Sequence, residues 1–489
     1  MKTINKVVYI LALLTFSRCS GDFIDIAPIS NANEQNFYNT EQDFLNAIYG
    51  AYSTLKMSGT YSDNIQLIGD LRSDNTEMGT TASVRFPFYE LSEFMDQETS
   101  PIVANVWNHH YMGIRRVNTI LDRIDDSNAN DQVRSTIVAE AKFLRALFYF
   151  NLVRVFGDVP LTTSRILTVE DAYEFSRTAS NEVYNQIIED LIAAEEALPL
   201  QIGNLHGRAT KGAAGSLLGK VYLTIHEYEK AKIVLGKVIG SDQYDILDNF
   251  SDLWRAENKN NMESIFDVQF EKNVTASTGA PFTERYTPYL YPHLPFRTTG
   301  GGYNIPTEDL IEAFEQNDLR KGASLKESYI NTDGSIVSGL EGRYNIKFYD
   351  MPIQGGGSGN NWPILRYADV LLMYAEALNE ISFDPNGPSF DLLNRIRRRA
   401  GLPEKTFNHS DPFYAVNSQE EFRLAIEQER RVELAFEGHR WFDLVRTNRA
   451  VDVINPKVSA GVQPHQLLLP IPLSQVQINP ENISQNPGY

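Results

Sequence analysis

Cysteine is almost absent: Cys19 is the only one among 489 residues. One thiol cannot close an intramolecular disulfide, and no second one stands by for a thiolate metal site or a redox pair. Long hydrophobic runs are missing as well. The most apolar stretch, Val7 to Phe16, is about ten residues long, against the ~18 or more that a membrane helix needs. Positive charge is short: 44 Lys and Arg face 63 Asp and Glu, for a net charge of −19. Such a field repels phosphates, which disfavours nucleic acid as a partner.

What is present begins with Lys2 and Lys6, the apolar run, and small or polar residues up to Cys19, the layout of a secretory signal peptide. The segment Phe16-Ser17-Arg18-Cys19 resembles a bacterial lipoprotein signal, in which the cysteine becomes the diacylated first residue of the mature chain. Arg18 departs from the small residue usual at that place. Two acyl chains on one residue give a durable membrane anchor, because each buried methylene adds about 0.8 kcal/mol. The alternative is an ordinary secretory peptide with an incidental cysteine. Residues 1–18 are thus read as signal peptide and 19–38, rich in Ser, Asn and Asp, as an extended tether.

The body, 39–489, is dominated by helical spacing. Thr40 with Asp43 approximates a capping box, and Phe44, Ile48, Tyr52 and Leu55 follow on one face. Val103, Trp107, Tyr111, Ile114, Val117, Leu121 and Ile124 mark a second helix, and a third runs up to Gly157 with Pro160 close behind. Leu218, Gly219 and Tyr222, then Ala231 and Leu235, have the spacing of a tetratricopeptide helix pair. Related texture recurs in "AEAKFLRALFYFNLVRVFG" and "ILRYADVLLMYAEALNE". The expected fold is therefore mostly α: a scaffold of stacked helical pairs (39–243 and 363–489) with long loops and a few short strands. Between 244 and 362 the texture changes. "SIFDVQF" alternates like a strand, while "PFTERYTPYLYPHLPFRTTGGGYNIP" and "MPIQGGGSGNNWP" read as long loops, the kind that carry function. The tail from 467 on, rich in Pro and Asn, is expected to wrap the surface rather than form a helix.

No specific catalytic constellation is present: the sequence has no H-E-x-x-H, G-x-S-x-G or G-x-x-x-x-G-K-[ST]. His109-His110 lacks a third ligand nearby, so no metal is expected. Glu433 and Glu437, beside Arg430, Arg431 and Arg440, read as an ion-paired structural helix, and His439 as structural. Tyr286, Tyr289 and Tyr291 alternate with Pro288 and Pro292. They read either as exposed platforms for sugar rings or peptide side chains, or as rings packed over the scaffold, and Trp362 is open to the same two readings.

Together these segments resemble the SusD/RagB outer-membrane lipoproteins of Bacteroidota. The resemblance rests on "FYNTEQDFLNAIYGAY", "NVWNHHYMGIRRVNTIL", "AEAKFLRALFYFNLVRVFGDVPL", "RATKGAAGSLLGKVYL", "YNIPTEDLIEAFEQNDLR", "RYADVLLMYAEALNE", "LNRIRRRAGLP", "ERRVELAFEGHRWFDLVR" and "LLPIPLSQVQINPENISQNPGY", in family order from about residue 19 onwards. It implies a single body, with 244–362 as a loop-rich ligand-binding insertion. It also implies a lipid anchor at Cys19, a place on the outer face of the outer membrane, and a SusC-like TonB-dependent transporter as partner. The implied ligand is an oligosaccharide or polysaccharide, with an oligopeptide as the alternative, and neither catalysis nor a cofactor is implied. By position, the resemblance nominates Asp74, Asn75, Tyr89 and Phe94, with Tyr286, Tyr289, Tyr291, Arg297 and Trp362, as ligand-binding residues.

Overall fold

The computed structural model describes residues 37–79, 86–203, 205–272, 278–294, 300–353, 357–458 and 461–489. Cys19, Arg297, the signal segment and residues 19–36 of the tether lie outside them.

The fold is mostly helical. Its main helices are α1 (Glu41–Ser53), α2 (Asn64–Leu71), α3 (Pro101–Arg123), α4 (Asp131–Phe156), α5 (Ser180–Ala197), α6 (Lys211–Thr224), α7 (Tyr228–Ile239), α8 (Tyr367–Ile381), α9 (Pro388–Arg399), α10 (Gln419–Glu433) and α11 (Arg440–Arg446). Local sequence sets their ends. At α1 the Thr40 hydroxyl accepts from the Asp43 N–H, and the Asp43 carboxylate accepts from the Thr40 N–H at 2.9 Å, completing the capping box. Gly157 caps α4 with a positive φ.

From α3 onwards each main helix packs on the next, up to α9, and α10 joins α8 and α9. Short connections force antiparallel neighbours, so α6 and α7 form a hairpin across residues 225–227. The small-residue reading holds there: a Cβ at Gly219 would lie 2.4 Å from Leu235 Cδ2, so any other residue would push the two helices apart.

Strands are short. β1 (Thr76–Glu77) pairs antiparallel with β3 (Ile305–Pro306), and β2 (Ser264–Val268) with β4 (Trp362–Arg366), with Trp362 opposite Val268. One core cluster runs from Phe44 through Trp107, Phe143, Leu218 and Phe282 to Trp441. The 244–362 segment feeds that same core with Phe266, Phe270, Phe282, Tyr286, Phe348 and Trp362.

Two expectations need correction. The stretch around Tyr286 is not all loop, since Phe282–Tyr286 is a helical turn in which those two rings, four residues apart, stack at 6.0 Å and 9°. The charged segment after Ser418 is not one helix either. α10 ends at Glu433, and Phe436 and Gly438 turn the chain with positive φ before α11 begins. This turn runs against α2 so closely that a Cβ on Gly69 would sit 2.0 Å from the Gly438 carbonyl oxygen.

The tail wraps the scaffold as expected, but against expectation it contains a short helix, Leu473–Ile478, which starts directly after Pro472, where a missing N–H costs nothing. Leu469 N–H donates to the Val155 carbonyl at 2.8 Å. Asn486 Nδ2 donates to the Phe156 carbonyl at 3.0 Å, and the Arg177 guanidinium to the Ser484 carbonyl at 2.9 Å. Arg72 donates to the Gln466 carbonyl.

Candidate functional site

Pairing of β1 with β3 brings two distant parts of the chain side by side, 72–79 with 86–94 and 284–294 with 300–306. On the short helix Phe86–Ser92, Phe86 and Tyr89 are three residues apart and share the solvent side, 50% and 40% exposed. Their rings lie 6.3 Å apart at 29°, forming one flat apolar surface with a phenol at its edge. Phe88 meets Tyr303 edge to face at 4.9 Å, which ties this helix to the second stretch. Arg285 pairs with Asp63 at 2.5 Å and lies 6.0 Å from the Tyr303 ring. Arg343 bridges Glu77 and Glu308, at 3.0 Å each. The result is an aromatic platform beside charged side chains that can donate and accept hydrogen bonds, the combination that grips a hydroxylated ring.

Beneath the platform lies a buried polar layer. Asp70 on α2 accepts from Asn304 Nδ2 at 3.0 Å and from the Gly438 N–H at 3.2 Å. Burial pushes the Asp70 carboxyl up to about 7 and Asp63 up to about 6, the latter against the pull of Arg285.

Of the nominated residues, Tyr89 is on this platform. Six others are buried. Asp74 is held by Arg440 at 2.7 and 2.9 Å, and Asn75 Oδ1 accepts from Arg431 Nε at 2.8 Å. Burial pushes the Asp74 carboxyl up, but Arg440 and Arg431 outweigh it and leave it below the usual range. Phe94 lies under the Arg72 guanidinium at 4.3 Å and against Trp441 at 5.4 Å. Tyr286 and Trp362 are both 1% exposed, and Trp362 stacks on Phe348 at 4.7 Å. For these two the geometry is that of the packed reading, because their neighbours Phe282 and Phe348 cover the ring faces a ligand would need.

Tyr291 is buried in a satellite cluster with Leu294, Tyr329 and Tyr344. Tyr289 is half-buried in the loop, where its carbonyl accepts from the Gly300 N–H at 3.0 Å. Arg297 lies outside the described residues. Phe86, Phe88 and Tyr303, which complete the platform, were legible only as the aromatic cluster "FPFY" and the Tyr after a Gly-rich turn.

The charged segment is structural, as expected. Glu433 receives Arg366 at 2.6 Å and Arg320 at 3.1 Å, and also Arg399. Glu437 receives Arg366 at 2.7 Å and Lys347 at 2.7 Å. All six groups are buried. His439 Nδ1 meets Lys220 Nζ at 3.1 Å, and burial and then that ammonium press its pKa down to about 3, so it stays neutral. His110 is likewise pressed down to about 4 by burial, with Nδ1 2.6 Å from the Val106 carbonyl. No cluster of metal-ligating side chains occurs among the described residues. No helix among them is long and apolar enough to cross a membrane.

Sequence comparison places two profiles along the chain. The SusD family profile matches residues 340–489, and a SusD-like profile described as "Starch-binding associating with outer membrane" matches 22–223. The chain belongs to the SusD/RagB family. SusD-like protein P25 of Formosa agariphila is 27% identical, with both chains covered in full. The starch-binding protein SusD of Bacteroides thetaiotaomicron is also 27% identical, over 77% of this chain and 76% of the relative. Among solved structures, a laminarin-binding SusD-like protein superposes with a TM-score of 0.79 at 27% identity, covering 92% of this chain and 100% of the other. The SusD-type helical scaffold thus accounts for the stacked pairs, while the loops between them build the platform.

Proposed function

We propose that this SusD-family chain captures glycans at the cell surface and delivers them to a SusC-like TonB-dependent transporter. In this reading acylated Cys19 holds it on the outer membrane, facing the exterior, and 244–362 supplies one wall of the ligand site. The observation that carries the proposal is the exposed Phe86–Tyr89 platform, locked to the second stretch through Phe88 and Tyr303. Starch and laminarin, named for two relatives, are the first ligands to try. Binding needs no catalytic group and no cofactor, since transport energy comes from the partner.

Affinity electrophoresis through gels containing a glycan panel, followed by calorimetry, tests this. A retarding glycan is expected, with affinity falling at least ~10-fold, or about 1.4 kcal/mol, in Phe86→Ala/Tyr89→Ala. The melting temperature should be unchanged, because both rings are on the surface. Uniform mobility through every gel, together with binding of a peptide library, would replace the glycan by an oligopeptide.

A further inference from the structure

Away from the platform, the end of α1, the 205–208 loop and the segment from Asp267 to Glu271, where β2 ends, enclose an open groove of about 740 Å³. Its lining shares no residue with the platform, and its size suits an oligosaccharide of a few units. The chain as a whole is strongly acidic, yet two ammonium groups converge here. Lys56 Nζ stands 5.4 Å above the Phe270 ring, and Lys259 Nζ donates to the Phe270 carbonyl at 2.6 Å, so one residue gathers both. Among the described residues neither ammonium has a carboxylate within ion-pair distance. Arg208 also lines the groove but is engaged by Glu140, at 2.7 Å through each of two nitrogens. Burial, and then repulsion from Lys259, pull Lys56 below its ordinary value, and Glu271 opposes them. A bound anion would relieve both cations.

The other walls suit a hydroxylated ring. Tyr49 is 42% exposed, and Gln269 and Asn260 are held by reciprocal amide hydrogen bonds of 3.0 and 2.8 Å and by Asn361, which leaves the second N–H of the Asn260 amide to donate to a ligand. Asp267 Oδ1 has no partner among the described residues, and burial pushes that carboxyl up to about 7, which lowers the negative charge beside the groove near neutral pH. A bare phosphate would use the cations and leave Tyr49 and the amides idle.

We propose that this groove is a second saccharide site, one that takes a carboxylate-bearing glycan, with the carboxylate between Lys56 and Lys259 and a sugar ring against Tyr49. Coulomb attraction supplies the selection for acid over neutral sugars, and aromatic contact with amide hydrogen bonds supplies the selection for a sugar over a free anion. The site stands independently of glycan capture at the platform.

Calorimetry of the mature chain with tetragalacturonate as the probe tests it. Binding is expected to weaken between about 50 and 300 mM salt, as charges become screened. Lys56→Gln and Lys259→Gln should each lower affinity at least ~10-fold, and Tyr49→Ala should do the same at both salts. Lys56→Gln should leave melting, and any retention by neutral glycans, as in the parent. The proposal is overturned if the probe does not bind at about 1 mM. It is also overturned if the lysine variants bind it like the parent, or if inorganic phosphate displaces it at equal concentration. Silence of the neutral-glycan gels with tetragalacturonate still bound would remove the platform reading alone.

Discussion

Asp74 and Arg440 are joined by two hydrogen bonds, of 2.7 and 2.9 Å, across 366 residues of chain. Both side chains are buried, so the pair clamps the segment before β1 onto α11. Asp74→Ala leaves Arg440 with Glu427 alone, at 3.2 Å. Removing one partner of a buried pair costs about 3–5 kcal/mol, because the other charge stays desolvated. Urea unfolding should show that loss, with the affinity of the remaining folded protein for its glycan intact. Full stability with abolished binding would instead make Asp74 a ligand contact.

Trp362 carries a second stability prediction. Its ring stacks on Phe348 at 4.7 Å and tilts against Phe282 at 5.2 Å. Trp362→Ala opens a large cavity and should cost about 3–5 kcal/mol. Tyr89→Ala, on the surface, should stay within about 0.5 kcal/mol of the parent. Thermal melts of the two variants side by side distinguish packed rings from exposed ones.

Asp70 gives a pH signature. Its carboxyl is pushed by burial from an ordinary value of 3.8 up to about 7, so the folded state favours the protonated form. That contribution is complete below about pH 4 and is lost as pH rises through about 7. Asp70→Asn carries no such loss. The new amide can donate to Asn304 Oδ1, which has no hydrogen-bond partner among the described residues, once that side chain flips. The variant's advantage in unfolding free energy should therefore open from about pH 4 and level off above pH 7, at about 1–3 kcal/mol. Glu433 behaves oppositely: burial pushes it up, Arg399, Arg366 and Arg320 hold it down more strongly, and its stabilisation is lost on acidification. Parent and variant share that term, so the comparison isolates Asp70.

Cys19 is tested by location. Cys19→Ala should move the protein from the membrane fraction to the soluble fraction of lysed cells. Continued sedimentation with membranes would remove the lipid anchor from the proposal.

Much of the scaffold was legible because its signals are local. Thr40 and Asp43 sit three residues apart and cap α1, and Gly219 and Leu235 belong to one hairpin. The site was harder to read because its decisive contacts are not local. Asp74 was nominated by position alone, while its partner stands on α11. The packing of Trp362 depends on pairing with Val268, 94 positions earlier, and on the fold of Phe282 and Phe348 around it. Tyr286 was read with Tyr289 and Tyr291 at alternate spacing, although the informative spacing was four residues back, to Phe282. Phe86 and Phe88 stand beside the nominated Tyr89 but were not singled out, since sequence alone does not say which face of a seven-residue helix meets solvent.

The wrapping segment 464–489 also sets an order of events. Translation supplies it hundreds of residues after the parts it fastens: Arg72 needs Gln466, Val155 and Phe156 need Leu469 and Asn486, and Arg177 needs Ser484. Until then those groups lack their tail partners, although Asp96 already holds Arg72, and the outer layer of the scaffold stays open. Folding therefore finishes after synthesis rather than during it.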